Sequence, residues 1–96
     1  MRVIVHPEVH DELRDAARYL KIEKPSIAKD FPAEVKATLA SIGRDPQIGS
    51  PGDKGTRRKY IMRFRYTVIY RIDVDHVFVL ALSHHRRDPD YWHHRL

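Results

Sequence analysis

Tyr66-Thr-Val-Ile-Tyr-Arg-Ile-Asp-Val-Asp-His-Val-Phe-Val-Leu-Ala-Leu82 is the stretch that decides the fold. Tyr66, Val68, Tyr70 and Ile72 alternate with Thr67, Ile69 and Arg71, the period of a strand with one face in a core. Asp73-Val-Asp75 supplies turn chemistry. Val77 to Leu82 is apolar throughout, as expected of a central strand. The stretch reads as an antiparallel pair in the middle of a sheet.

Upstream, Arg58 to Met62 reads as a further strand, joined by a tight turn around Arg63-Phe64-Arg65. Residues 45–56 hold three of the four glycines and two prolines and read as a loop. Lys54-Gly55-Thr56 has the wrong order for a phosphate-binding loop. At the N-terminus, Arg2-Val-Ile-Val5 is a β-branched run stopped by Pro7. Pro7 suits a first helical turn, and Val9, Leu13, Ala16, Ala17 and Leu20 recur at helical spacing, predicting a helix over 7–23. Ile27, Phe31, Val35, Leu39 and Ile42 predict a second over 26–43, which Pro32 either kinks or divides after its first turn. The order is βααβββ: an α+β sandwich, with a two-helix hairpin on one face of a mostly antiparallel four-stranded sheet. No helix is available for the other sheet face.

Ninety-six residues allow one domain with one modest core, so 1–96 is read as a single domain. The absence of cysteine excludes disulfides and thiolate zinc sites and is compatible with a reducing compartment. No apolar run approaches the roughly 18 residues of a membrane span, and no signal-peptide layout opens the chain. The expectation is a cytoplasmic protein without membrane contact. The net charge of +5 favours polyanionic or acidic partners. That charge belongs to the second half, where Lys54 to Arg71 holds seven bases and no acid. By strand parity Lys59 and Arg63 project together, with Arg65 and Arg71 nearby. Such a face can hold phosphates, or can be a solvated face whose long side chains cover apolar neighbours.

The apolar run leads into Ser83-His-His-Arg-Arg-Asp-Pro-Asp-Tyr-Trp-His-His-Arg95. Adjacent histidine pairs point in differing directions and no helical pair of histidines exists, so no metal site is expected. His84 or His85 suits general acid–base work. Tyr91 and Trp92 either stack on bases or pack on an open core edge, and Arg87 either anchors a carboxylate or holds a phosphate. Asp88-Pro89-Asp90 reads as the cap of a short final helix.

This tail, together with Arg57-Arg58, the run Arg63 to Arg71, Val79-Leu-Ala81 and Pro7-Glu-Val-His-Asp-Glu-Leu13, resembles the ParE/RelE toxin superfamily in its plasmid-stabilisation, ParE-like branch. The resemblance spans nearly the whole chain. It implies the toxin of a bacterial type II toxin–antitoxin pair, neutralised by a cognate antitoxin, acting on DNA gyrase and using no cofactor. The alternative it implies is an endonuclease of mRNA on the ribosome, with Arg58, Lys59, Arg63, His84, Arg87 and Tyr91 as the catalytic candidates. Candidates for target contact are Arg57, Arg65, Arg71, Arg86 and Trp92. Pro89, Tyr91 and Trp92 are expected to fasten the tail so that Arg86 and Arg87 sit at the edge of the basic face.

Overall fold

A computed structural model describes residues 1–96. The elements are β1 (Arg2–Val5), α1 (Pro7–Glu23), α2 (Pro25–Ala28), α3 (Phe31–Arg44), β2 (Ser50–Pro51), β3 (Arg57–Ile61), β4 (Tyr66–Ile72) and β5 (His76–His84). The sheet order is β1-β5-β4-β3-β2, with β1 parallel to β5 and every other pairing antiparallel. The α+β class and the layering are those the sequence predicts. The strand count is corrected to five by β2, in which Ser50 and Pro51 pair with Arg58 and Arg57. A pair of residues in a proline–glycine loop carries no periodicity, so only its partner strand reveals it.

Pro32 divides the second helix. A proline has no N–H to donate and its ring blocks the carbonyl four residues earlier, so it is tolerated in a first turn and not beyond. The chain therefore makes α2 as one separate turn and restarts at Phe31, leaving Pro32 in the opening turn of α3. The restart aims Phe31 into the core. Its ring lies 5.1 Å from Phe64, edge-on, and 5.4 Å from Tyr66.

The sheet is covered on both faces. On the helix side Val68, Tyr70, Val77, Val79 and Leu82 pack with Val9, Ala16, Leu20, Phe31, Val35 and Ile42. On the other side Ile69, Leu80, Ala81 and Trp92 form a second, smaller cluster. The register slips between Ile69 and Tyr70, which oppose Ala81 and Val79, leaving Leu80 as an extra residue. Leu80 and Ala81 thus both join the second cluster. Its lid is the C-terminal segment, with Trp92 only 1% exposed. The final helix expected after Asp88-Pro89-Asp90 is instead a turn, in which Asp88 Oδ1 accepts the Asp90 N–H, followed by one 3-10 turn at His93–Arg95. Residues three apart eclipse in 3-10 geometry, and Trp92 and Arg95 are both buried.

The long loop is tied down from beneath. The Tyr70 hydroxyl accepts the Gly49 N–H at 2.9 Å and donates to the Pro46 carbonyl at 2.7 Å. Arg57 donates to the Gly49 carbonyl at 2.6 Å and to Gln47 Oε1 at 2.6 Å. A Cβ at Gly49 would lie 2.6 Å from the Tyr70 hydroxyl and 2.8 Å from the Arg58 carbonyl, so close backbone approach requires glycine there.

Candidate functional site

Glu12 is a carboxylate on the buried stripe of α1, between Val9 and Ala16. A buried charge is tolerated only when paired and hydrogen-bonded, and Glu12 is satisfied from four directions. Its Oε1 accepts the Leu82 N–H at 3.0 Å and Arg95 Nη1 at 3.0 Å. Its Oε2 accepts the Tyr91 hydroxyl at 2.6 Å and Arg95 Nη2 at 3.1 Å. Arg95 also donates to the Leu80 carbonyl at 2.9 Å and meets Glu8 at 2.7 Å. Burial opposes the Arg95 charge, but the bond to Glu12 and the charges of Glu12 and Glu8 outweigh it and raise the guanidinium pKa. Burial, reinforced by the bond to Glu12, holds the Tyr91 phenol far above its usual range. Tyr91 therefore keeps its proton.

This clasp fixes residues 85–95 as a strap across the sheet face away from the helices. Arg87 lies on the Tyr91 ring, 3.8 Å from its centroid. Between the strap and β3 runs an open groove of about 320 Å³. Its floor is formed by Thr67 and Ser83, opposite neighbours in one cross-strand row, and by Ile69 in the next. One wall is Arg58 and Tyr60; the other is His85, Arg87, Pro89 and Trp92. His84, the last residue of β5, stands at the groove's end, edge-on to Tyr19 at 5.3 Å and Tyr66 at 5.1 Å. Its Nδ1 accepts the Arg86 N–H, which places the proton of the neutral ring on Nε2. Burial first, and then the charges of His85, Arg86, Lys24 and Arg65, hold its pKa below the ordinary imidazole value.

Of the proposed catalytic residues, Arg58 and Arg87 line this groove, and His84 borders its end with its ring turned to Tyr19 and Tyr66 on the helical side. Lys59 and Arg63 do not. Lys59 has the parity of Ile61, which packs in the helix-side core. Met62–Phe64 is a 3-10 turn that breaks strand alternation, and Arg63 pairs with Asp30 at 2.9 Å on that helical side. Lys59 and Arg63 thus share the helical side, as strand parity predicts; Arg71 does not join them, because it lies over Phe78 beside the second cluster. Tyr91 belongs to the clasp. Among the target-contact candidates, Arg57 secures the loop, and Arg71 pairs with Asp73 at 2.9 Å and covers Phe78. Trp92 is buried and unavailable as a contact. Arg65 and Arg86 are exposed and line an adjoining groove with Lys24.

Sequence reading passed over Glu12, Tyr60 and Arg95. Glu12 had a signal, an acid at the position where the stripe of α1 needs an apolar residue. The histidines disperse: His84 meets Tyr19 and Tyr66, His85 meets Tyr60, His93 approaches Asp90, and His94 approaches Glu8. Asp53, Asp90 and His93 bring donor atoms within 4.8 Å of one another, but both carboxylates are exposed and the set falls short of a closed coordination sphere.

The family model of the ParE toxin of type II toxin–antitoxin systems, parDE, matches residues 3–89. The chain belongs to the ParE toxin family. Two relatives are the "Toxin ParE2" proteins of Mycobacterium tuberculosis strains CDC 1551 / Oshkosh and ATCC 25618 / H37Rv. Each is 31% identical over 90 residues, covering 93% of this chain and 86% of theirs. The family match takes in α1 and β5 but stops short of Tyr91, Trp92 and Arg95, the strap's own half of the clasp. No helix of the toxin is long and apolar enough to cross a membrane.

Removing Glu12 leaves Arg95 buried without its main partner, so Glu12→Ala is expected to lower unfolding free energy by roughly 3–5 kcal/mol, read from urea melts. Glu12→Leu combined with Arg95→Met, which removes both charges, recovers most of that loss. For His84 the folded pKa lies below the unfolded value of about 6.5. Its stabilising contribution is therefore complete above that value and is lost as pH falls through the lower folded pKa. Imidazole titration by NMR should give His84 a midpoint below the usual imidazole value of about 6.5, and His84→Gln should flatten the stability profile over that window.

Proposed function

We propose that this toxin acts by binding rather than by bond cleavage, with DNA gyrase as its target and a cognate antitoxin as its neutralising partner. Membership of the ParE family supports an antitoxin partner. The observation that carries the binding reading is the clasp. An acid–base mechanism at a phosphodiester needs side chains free to exchange protons beside the scissile bond. Tyr91 is committed to Glu12 with its proton retained, and Lys59 and Arg63 lie on the helical side. What remains at the sheet's end is His84, packed against Tyr19 and Tyr66 with its Nδ1 bonded to the Arg86 amide, and a set of exposed cations without ion-pair partners. Arg65 and Arg86 are the residues proposed to face gyrase, because a positive rim accelerates encounter and fixes register with an acidic surface.

The antitoxin is proposed to lie elsewhere, on the helical hairpin. Leu13, Ala17, Phe31, Pro32, Val35 and Leu39 line a mainly apolar cleft between α1 and α3. An amphipathic segment can bury its apolar face there.

Incubating the toxin with gyrase, ATP and supercoiled plasmid should accumulate cleaved DNA. Reversing both charges in Arg65→Glu/Arg86→Glu should reduce cleavage at least about tenfold, as expected for two charge contacts of roughly 1 kcal/mol or more each. Intact plasmid together with cleaved ribosome-bound mRNA would transfer the assignment to the endonuclease.

A further inference from the structure

A second cavity, of about 410 Å³, lies between α1 and the root of the strap. Asp15, Ala16 and Tyr19 line it from α1, Tyr66 and Leu82 from the sheet, and Arg86 from the strap. Its volume is that of a small-molecule site.

Tyr66 distinguishes this cavity from an ordinary surface hollow. The residue is only 6% exposed, and its hydroxyl makes no hydrogen bond within the chain. The other phenols of the interior are satisfied, Tyr70 through Gly49 and Pro46 and Tyr91 through Glu12. The Tyr66 oxygen is not sealed into the core but reaches the cavity wall. Burial first, and then the charges of Tyr19 and Asp15, raise its pKa, so the phenol keeps its proton. A buried hydroxyl left unpaired is costly and uncommon, and this one calls for a partner from outside the chain.

The charges around it are also unspent. Asp15 has Arg18 as its nearest cation, at 3.9 Å, which is too long for a hydrogen bond. Arg86 gives its backbone N–H to His84 Nδ1, but its guanidinium has no carboxylate partner. Asp15 and Arg86 line one cavity without pairing with each other. Most of the remaining wall is apolar, made by Ala16, Leu82 and the rings of Tyr19 and Tyr66.

This lining selects its occupant by charge. Inorganic phosphate or a nucleotide would bring a dianion beside Asp15 and Glu12. A simple organic cation would meet Arg86 and Arg87. A neutral apolar molecule would leave the Tyr66 hydroxyl as unpaired as before. We propose that the cavity binds a free α-amino acid with an apolar side chain. Arg86 takes its carboxylate, its ammonium donates to Asp15 and to the Tyr66 hydroxyl, and Ala16 and Leu82 receive its side chain. The proposal does not rest on the gyrase reading, since it concerns the toxin and a small ligand alone. No bond is made or broken in it. On the gyrase reading, occupancy engages one of the two cations offered to the target.

Titration of L-leucine and of L-phenylalanine into isotope-labelled toxin, followed by NMR, tests it. The expected result is saturable shifts of the Ala16 and Leu82 amides with a Kd of about 1 mM or below. Val74, in the turn at the opposite end of β5, should not shift. N-acetyl-leucine, which lacks the ammonium, and leucinamide, which lacks the carboxylate, should each bind roughly tenfold more weakly than leucine. Asp15→Asn should weaken leucine binding by about the same factor while leaving N-acetyl-leucine unchanged, and Arg86→Gln should do so while leaving leucinamide unchanged. Tyr66→Phe should weaken leucine binding at least about threefold, yet its melting temperature should equal or exceed that of the parent, because no bond within the chain is lost. A thermal melt of the two charge variants confirms that the fold persists. Shifts that fail to saturate, or that N-acetyl-leucine reproduces at equal strength, would overturn the proposal. So would unchanged leucine binding in Tyr66→Phe, or displacement of leucine by inorganic phosphate, which would make the cavity a plain anion site.

Discussion

The bidentate pair between Glu12 and Arg95 is the constraint on which the working face depends. It joins residues 83 positions apart, one on the first helix and one at the end of the chain. Isolated, each charge would be costly to bury; together, with the Leu82 amide, the Leu80 carbonyl, Tyr91 and Glu8, they form a saturated network. An apolar pair would avoid the cost of burying two charges but would take these partners from the Leu82 amide, the Leu80 carbonyl and the Tyr91 hydroxyl, so the pair is best understood as setting position. They hold the strap at one height above β5, and hence Trp92 over Ile69, Leu80 and Ala81 and Arg87 over Tyr91.

The second sheet face shows why this matters. A small α+β protein with helices on one side must cover or wet the other. Here eleven residues, 85–95, do the work of a helical layer, with one tryptophan as the main apolar contribution. Because the strap is narrow, it covers the sheet only partly, and the uncovered strip between it and β3 is the groove. Site and cover are consequences of the same segment, and the tail's cations reach the groove only because its aromatics are anchored beneath it.

Much of this was legible in the sequence. Alternation in Tyr66–Ile72 and the apolar run after it gave the central pair, and Pro7 and the stripe on Val9, Ala16 and Leu20 gave α1 with its observed limits. Pro32 announced the break between α2 and α3. Of the expected fasteners, Trp92 is buried and Tyr91 is bonded to Glu12, whereas Pro89 is exposed. Three features were not legible, each for a physical reason. β2 is defined by its partner and not by its residues. The turn between β3 and β4 is a 3-10 turn followed by Arg65 in the left-handed region, φ 60°, a conformation that no strand periodicity anticipates. Arg95, one of many tail cations, is distinguished only by a carboxylate at the other end of the chain.

Hydrogen exchange at single amides measures the central claim directly, because the Leu82 N–H donates to Glu12 and the Arg95 N–H to the Trp92 carbonyl. If the clasp makes the strap one cooperative unit with the sheet, both amides exchange only through global unfolding, with the same protection free energy as the middle of β5. If the Arg95 amide exchanges rapidly while β5 stays protected, the strap opens independently and the clasp does not organise the site.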